Sequence, residues 1–321
     1  MAETASPALI LFGPTASGKS ALALLLAQAV GGVVINADSM QLYRELRVLT
    51  ARPTPAEEAA APHALYGVRS AWEPANAAWW RAAALEAMEA ARAQGRAPIL
   101  CGGTGLYLRA LTFGLAEIPE PGAAARAEAR TLLAELGPAG LHARLAETDP
   151  ATAAALRPSD SQRLARAWEV WCGTGRGLAA WQAEPAQPAA GWRFRAVALD
   201  PPRAALRAAI AARFRRMMES GAVEEVRALL SLGLDPAVPV LRAHGVAELA
   251  AHLRGEIGLE EAAQRAILAT ARYAKRQATW LRHQPLAPGV TPTTIKSRFE
   301  APAQLSEQFW ADMRDFLRSP R

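Results

Sequence analysis

The segment that most constrains the fold lies near the N-terminus. Gly13-Pro14-Thr15-Ala16-Ser17-Gly18-Lys19-Ser20 fits the pattern G-x-x-x-x-G-K-[ST]. An apolar run, Ala8 to Phe12, precedes it, and an alanine- and leucine-rich run, Ala21 to Val30, follows it. Strand, glycine loop, helix is the order in which backbone N–H groups can wrap an anion at the positive end of a helix. Lys19 adds a point charge, and the Ser20 hydroxyl is a ligand for Mg²⁺. The pattern predicts a diphosphate or triphosphate site. It does not say what is attached to the phosphates.

The rest of the chain predicts a parallel α/β sheet around that loop. Val33-Val34-Ile35 ends at Asn36-Ala37-Asp38, and Pro98 to Cys101 ends at Gly102-Gly103. Ala196 to Leu199 is closed by Asp200-Pro201-Pro202. Helical patterns lie between these short strands, at about 79–94, 204–230 and 259–282. From Glu120 to about Ala190 no strand is legible. Leucine, alanine and arginine recur there at helical spacing, broken at Gly137-Pro138, Asp149-Pro150 and Pro158. The expected architecture is a P-loop NTPase-like core over 1–118, an all-helical insertion over 119–192, and a return to the core over 193–321. The tail after Gln284 is rich in Pro and Thr and carries little pattern.

Composition narrows the function class. The chain has 321 residues, 51% of them hydrophobic and 21% charged, which excludes global disorder. No run approaches the roughly 18 apolar residues of a membrane span. Cys101 and Cys172 lie far apart, and the histidines show no ligand spacing, so neither a disulfide framework nor a zinc site is expected. A reduced, cytoplasmic monomer without a membrane partner is the expectation. The formal charge is +6. All but three of the 36 basic residues are arginine, the lysines being Lys19, Lys275 and Lys296. Coding bias and a phosphate-rich partner both fit that excess.

Asp38 stands at the carboxyl end of a strand, the edge where open α/β sheets bind ligands. It can serve as a proton acceptor, as a helix cap, or as a carboxylate holding Mg²⁺. Asp200, at another strand end, competes for the last role.

Further motifs stand in a fixed order. Asp38-Ser39-Met40-Gln41-Leu42-Tyr43 is followed by Thr50 to Pro53, Pro62-His63, and Gly102 to Tyr107. Ser159 to Val170 reads S-D-x-Q-R-x-x-R-A-x-E-V, and Lys275 to Arg282 reads K-R-Q-x-T-W-L-R. With the phosphate loop, this set resembles the tRNA dimethylallyltransferases, also called isopentenyl-tRNA transferases, over roughly residues 8 to 284. The resemblance implies transfer of a five-carbon dimethylallyl group from dimethylallyl diphosphate to N6 of adenosine 37 in tRNA, with Mg²⁺ as cofactor. It implies that Gly13 to Ser20 hold the donor's diphosphate rather than ATP, Thr15 included, with Arg213 nearby. Asp38 becomes the general base. Ser39, Met40, Gln41 and Thr104 are assigned to the extruded adenine and tRNA. The anticodon stem-loop falls to Arg126, Gln162, Arg163, Leu164, Ala165 and Arg166. Lys275, Arg276, Gln277, Thr279, Trp280 and Arg282 join them, with Arg242 to Ala247 a weaker candidate.

The chain departs from the commonest pattern at Leu49, Arg52, Ala64, Trp168, Val246 and Ala271, none of which touches Lys19 or Asp38. Two other readings stay open. One is a small-molecule enzyme, either an adenylate isopentenyltransferase or a nucleotide kinase. The other is an RNA-binding protein with a vestigial loop. The helical insertion favours the tRNA reading over the first, and Lys19, Ser20 and Asp38 together argue against the second.

Overall fold

A computed structural model describes residues 5–318. Strand β1 (Ser6–Phe12) runs into the glycine loop, and helix α1 (Lys19–Val30) leaves it. In chain order the core continues with β2 (Val33–Asn36), α2 (Pro55–Ala60), β3 (His63–Ala64), α3 (Ala77–Ala93), β4 (Pro98–Gly102) and α4 (Gly105–Thr112). The insertion contributes α5 (Gly122–Thr148), α6 (Pro150–Ala155), α7 (Ser161–Thr174) and α8 (Leu178–Gln182). The core resumes with β5 (Trp192–Leu199), α9 (Arg203–Glu219), α10 (Ala222–Ser231), α11 (Val246–Leu253), α12 (Leu259–His283), β6 (Thr293–Ile295) and α13 (Glu307–Arg318). None of the described helices is long and apolar enough to cross a membrane.

All six strands pair in parallel, in the order β3-β2-β4-β1-β5-β6. The register matters for function. Phe12 lies opposite Gly102 on one side and Ala198 on the other, and Asn36 lies opposite Cys101. The glycine loop, Asp38, Thr104 and Asp200 therefore all leave the sheet at one carboxyl edge. Alternation along the strands fills two faces. Ile10, Phe12 and Leu100 pack on one face with Trp80 and Tyr107. Those two rings stack at 4.7 Å, and the Trp80 indole N–H donates to the Asn36 carbonyl (2.8 Å). Leu9, Leu11 and Val197 pack on the other face with Leu22, Leu26, Phe299 and Met313. A third cluster joins Tyr43, Leu46 and Leu49 to Phe214, Val226 and Leu249.

Three sequence expectations need correction. The helical pattern over 204–230 is two helices, because Gly221 takes a left-handed φ of 92° between them. The tail after Gln284 is structured. β6 extends the sheet and α13 packs against α1 and β1, burying Met313 and Leu317. The helical unit spans 114–188 rather than 119–192. Ile118 packs with the insertion's own core, whereas the Ala189 N–H donates to Leu111 (3.1 Å) and Trp192 already begins β5.

The helical unit has a small core of its own, built on Ala129, Leu141, Leu145, Leu164 and Trp168. α5 bends at Gly137-Pro138, where the backbone leaves helical geometry. Asp149 and Asp160 cap α6 and α7 by accepting the N–H groups of Thr152 and Arg163.

Candidate active site

The phosphate loop is shaped by alternating backbone handedness. Ala16 (φ 64°) and Gly18 (φ 94°) are left-handed, the geometry that turns successive N–H groups toward one point. Lys19 is buried, with Nζ 3.5 Å from the Pro14 carbonyl. Burial pushes its pKa below the ordinary lysine value, and Arg213 pushes the same way, while Cys101 and Asp38 oppose. The Ser17 hydroxyl is buried and has no partner among the described residues. A buried cation beside a concave run of N–H groups is suited to an anion.

Two long-range contacts converge on Thr15. The Arg213 guanidinium, from α9, donates to the Thr15 hydroxyl. Its pKa is lowered to about 10, chiefly by burial, with Asp38 opposing and Arg216 adding to the shift. From α12, the Gln277 Oε1 accepts the Thr15 N–H (2.9 Å) while its Nε2 donates to the Gly103 carbonyl (2.9 Å).

Asp38 is held by its own turn. Its N–H donates to Asn36 Oδ1 (2.8 Å), and the Asn36 amide returns a bond to the Asp38 carbonyl (3.0 Å). One carboxylate oxygen accepts the Met40 N–H (3.0 Å). That is a capping contact, yet the residue also lines the cavity beside the phosphate loop. Ser39 N–H donates to Thr104 Oγ1 (3.0 Å), so the two residues form one polar pair.

The cavity beside the phosphate loop has a mixed lining. Polar Thr15, Asp38, Thr50, Arg213 and Thr270 share its lining with apolar Leu49, Ile210, Phe214, Met217 and Ala243. His244 and Tyr273 line it as well. Sequence reading missed Tyr273 and reached His244 only within the Arg242–Ala247 stretch, read as a weaker tRNA candidate. Their rings lie 4.8 Å apart. Burial, then the charge of Arg276, lowers the His244 pKa against Glu248 and Asp38, which favours a neutral ring. The available signal was helical spacing, since Tyr273 stands four residues before Gln277 and so shares its face.

Several residues read as tRNA contacts have partners within the protein. Gln277 is buried, with both ends of its amide bonded inside the core. Trp280 packs on Phe12 (5.2 Å between centroids) and against Gly105, where a Cβ would strike its ring. Arg282 is exposed on α12 and paired with Asp200 (2.8 Å). Both amide hydrogens of Gln41 go to the Thr50 and Ala51 carbonyls (2.9 Å each), which holds that loop. Leu164 is fully buried in the insertion, and Ala165 is half-buried. Lys275, Arg276 and Thr279 are exposed on α12, and Arg126, Gln162 and Arg163 are exposed on the insertion, with Arg166 half-buried beside Glu169 (3.2 Å).

The Asp200 carboxylate is engaged by two cations. Lys296 (3.1 Å) joins Arg282 on its carboxylate. Burial alone would raise its pKa, but the bonds and charges of those two cations outweigh burial and hold it below the ordinary value. Among the described residues, no three His, Cys, Asp or Glu side chains form a cation cage. The donor set is the hydroxyl of Ser20, an exposed residue at the start of α1 whose side chain also bonds Cys101, together with the Asp38 carboxylate at the adjoining strand end. That fits Mg²⁺, which takes few protein ligands and completes its shell with phosphate oxygens and water.

Comparison with known proteins agrees with this arrangement. The family model for IPP transferase matches residues 41–284, and that for isopentenyl transferase matches 7–66. A tRNA dimethylallyltransferase of Granulibacter bethesdensis is 60% identical over 312 residues, covering 97% of this chain and 98% of that one. One from Acidiphilium cryptum is 61% identical over 316 residues, covering 98% and 96%. The crystal structure of a full-length tRNA isopentenylpyrophosphate transferase from Bacillus halodurans superposes with a TM-score of 0.65 at 28% identity, covering 97% of this chain and 95% of that one. A eukaryotic dimethylallyltransferase acting on tRNA gives a TM-score of 0.70 at 25% identity, covering 86% and 70%. On a match that spans nearly the whole chain and includes the phosphate loop and its partners, this chain belongs to the tRNA dimethylallyltransferase family.

Proposed function

We propose that this protein transfers the dimethylallyl group of dimethylallyl diphosphate to N6 of adenosine 37 in tRNA and releases diphosphate. The observation that carries the reading is a cavity beside the phosphate loop with a mixed polar and apolar lining. Thr15 and Arg213 in that lining suit a diphosphate, and Leu49, Ile210, Phe214, Met217 and Ala243 suit a short branched hydrocarbon.

The adenine N6 lone pair is delocalised into the ring, so the amine is a weak nucleophile. It attacks C1 of the donor as the C1–O bond to the diphosphate breaks. Asp38 accepts the N6 proton as the C–N bond forms. Lys19, Arg213 and the loop N–H groups face the charge that grows on the leaving oxygen, where preorganised donors act most strongly. Ser20 would hold Mg²⁺, which when bound would supply further neutralisation of that charge. Ser39 and Thr104, held together at the strand ends, stand where an extruded base would meet them.

The grip on tRNA comes from exposed side chains. Lys275, Arg276 and Thr279 supply it on α12, and Arg126, Gln162, Arg163 and Arg166 supply it on the helical unit. A monomer acting in the cytoplasm completes the reading.

Incubation with dimethylallyl diphosphate, Mg²⁺ and either unmodified tRNA or AMP, followed by digestion and mass analysis, tests it. Prenylated adenosine in tRNA alone is the expected product. Transfer to AMP alone would overturn the acceptor assignment. Asp38→Asn should keep tRNA and diphosphate binding while the transfer rate falls by about a hundredfold or more. An unchanged single-turnover rate would remove Asp38 as the base.

A further inference from the structure

A phosphate loop turns its N–H groups inward, so its carbonyl groups face outward and need partners of their own. In this protein they are met by a segment near the C-terminus, beyond the end of the IPP transferase match at residue 284. The Ser17 carbonyl accepts the Phe299 N–H (2.9 Å), and the Ala16 carbonyl accepts the Arg298 Nε–H (3.1 Å). The backbones meet so closely that a Cβ on Gly18 would lie 2.1 Å from the Phe299 carbonyl oxygen.

The segment is itself fixed. The Asp200 N–H donates to the Ile295 carbonyl (2.9 Å), and Lys296 pairs with the Asp200 carboxylate. Phe299 is buried under α1 and β1. Gln304 closes the end by accepting the N–H groups of Glu300 (2.6 Å) and Ala301 (3.0 Å) and donating to the Arg298 carbonyl (3.1 Å). Arg298 is paired with Glu300, and its side chain is 32% exposed.

Ala16 is the position in the loop that most needs support. It is not glycine, yet it is left-handed, a conformation that a residue with a Cβ adopts only when its surroundings hold it there.

We propose that Arg298 is a positioning residue for the donor's diphosphate: through its bond to the Ala16 carbonyl it holds the strained loop peptide in the form whose N–H groups face the anion. The inference rests on the reading of this loop as the diphosphate site. Its test is built on inorganic pyrophosphate and needs no acceptor.

Pyrophosphate affinity, by titration calorimetry with Mg²⁺, is compared for the wild type, Arg298→Ala, Arg298→Gln and Lys19→Ala, together with the KM for donor and for tRNA. Arg298→Ala should weaken pyrophosphate binding about tenfold, the effect of one lost charge-assisted hydrogen bond, and raise the donor KM in step. The tRNA KM should stay unchanged. Arg298→Gln keeps an N–H that can reach the Ala16 carbonyl and should recover most of the loss. Wild-type affinity in Arg298→Ala overturns the proposal. So does a glutamine variant as weak as alanine, because the charge would then act on the phosphate directly. If Lys19→Ala also binds pyrophosphate normally, the diphosphate reading falls and this inference with it. Loss in Lys19→Ala alone leaves the reading standing and removes only the role of Arg298.

Discussion

At the scale of single residues, the site sets a buried lysine and a half-buried arginine beside the phosphate loop. Lys19 and Arg213 both sit below their ordinary pKa values because burial disfavours their charged forms. The consequence has opposite signs for stability and for binding. Between the folded and ordinary values the unfolded chain holds more protons, so stability of the protein alone should rise with pH across that window. Donor binding needs the charged forms, so the donor KM should climb as pH rises toward the Arg213 value of about 10. Denaturant melts and initial rates over the same alkaline series check both signs, and a flat donor KM would contradict the cation assignment. Gln277→Leu is a second test at this scale. It leaves the Thr15 N–H and the Gly103 carbonyl without their partner and should lower stability by about 1–3 kcal/mol in urea. The salt slope of tRNA binding should not move, because Gln277 does not reach solvent. The residue types around Lys275 to Arg282 were legible as basic and aromatic. Which of them point inward was not, because several bodies pack on that helix and spacing alone does not rank its faces.

At the scale of elements, β1, α1, β2, β4 and β5 were legible because each is a short apolar run closed by Gly, Pro, Asn or Asp. β6 and α13 were not. Thr293 to Ile295 is three residues long, and its strand character comes entirely from pairing with β5. The division of the 204–230 pattern into α9 and α10 hangs on Gly221, a single residue inside an otherwise unbroken helical period. Trp280 is the anchor of α12 on the sheet, packed on Phe12 and Gly105. Trp280→Ala should cost about 3 kcal/mol in a chemical melt, as large-to-small changes of a packed aromatic do. A variant of wild-type stability with weakened tRNA binding would instead restore Trp280 to the RNA surface.

At the scale of the whole molecule, a positive chain faces a polyanion. If exposed arginines grip the tRNA backbone, affinity should fall at least about tenfold between 50 and 200 mM salt. Replacing Arg276 by Ala should lower the slope by about one unit. A filter-binding series in KCl measures both, and a flat response would contradict the assigned RNA face. The sequence by itself determined the diphosphate loop, the parallel sheet, the helical insertion and Asp38 at a strand end. Each of these is written in consecutive residues or in a local period, so local physics suffices to read them. Only the tertiary structure decided that Asp200 is neutralised by Arg282 and Lys296, that Gln277 ties Thr15 to Gly103 across 262 positions, and that His244 and Tyr273 close the cavity. It also brought Arg298 to a loop formed 282 residues earlier. Such contacts leave no spacing in the chain, because the sheet register and the burial of apolar faces bring distant residues together only after the fold has formed.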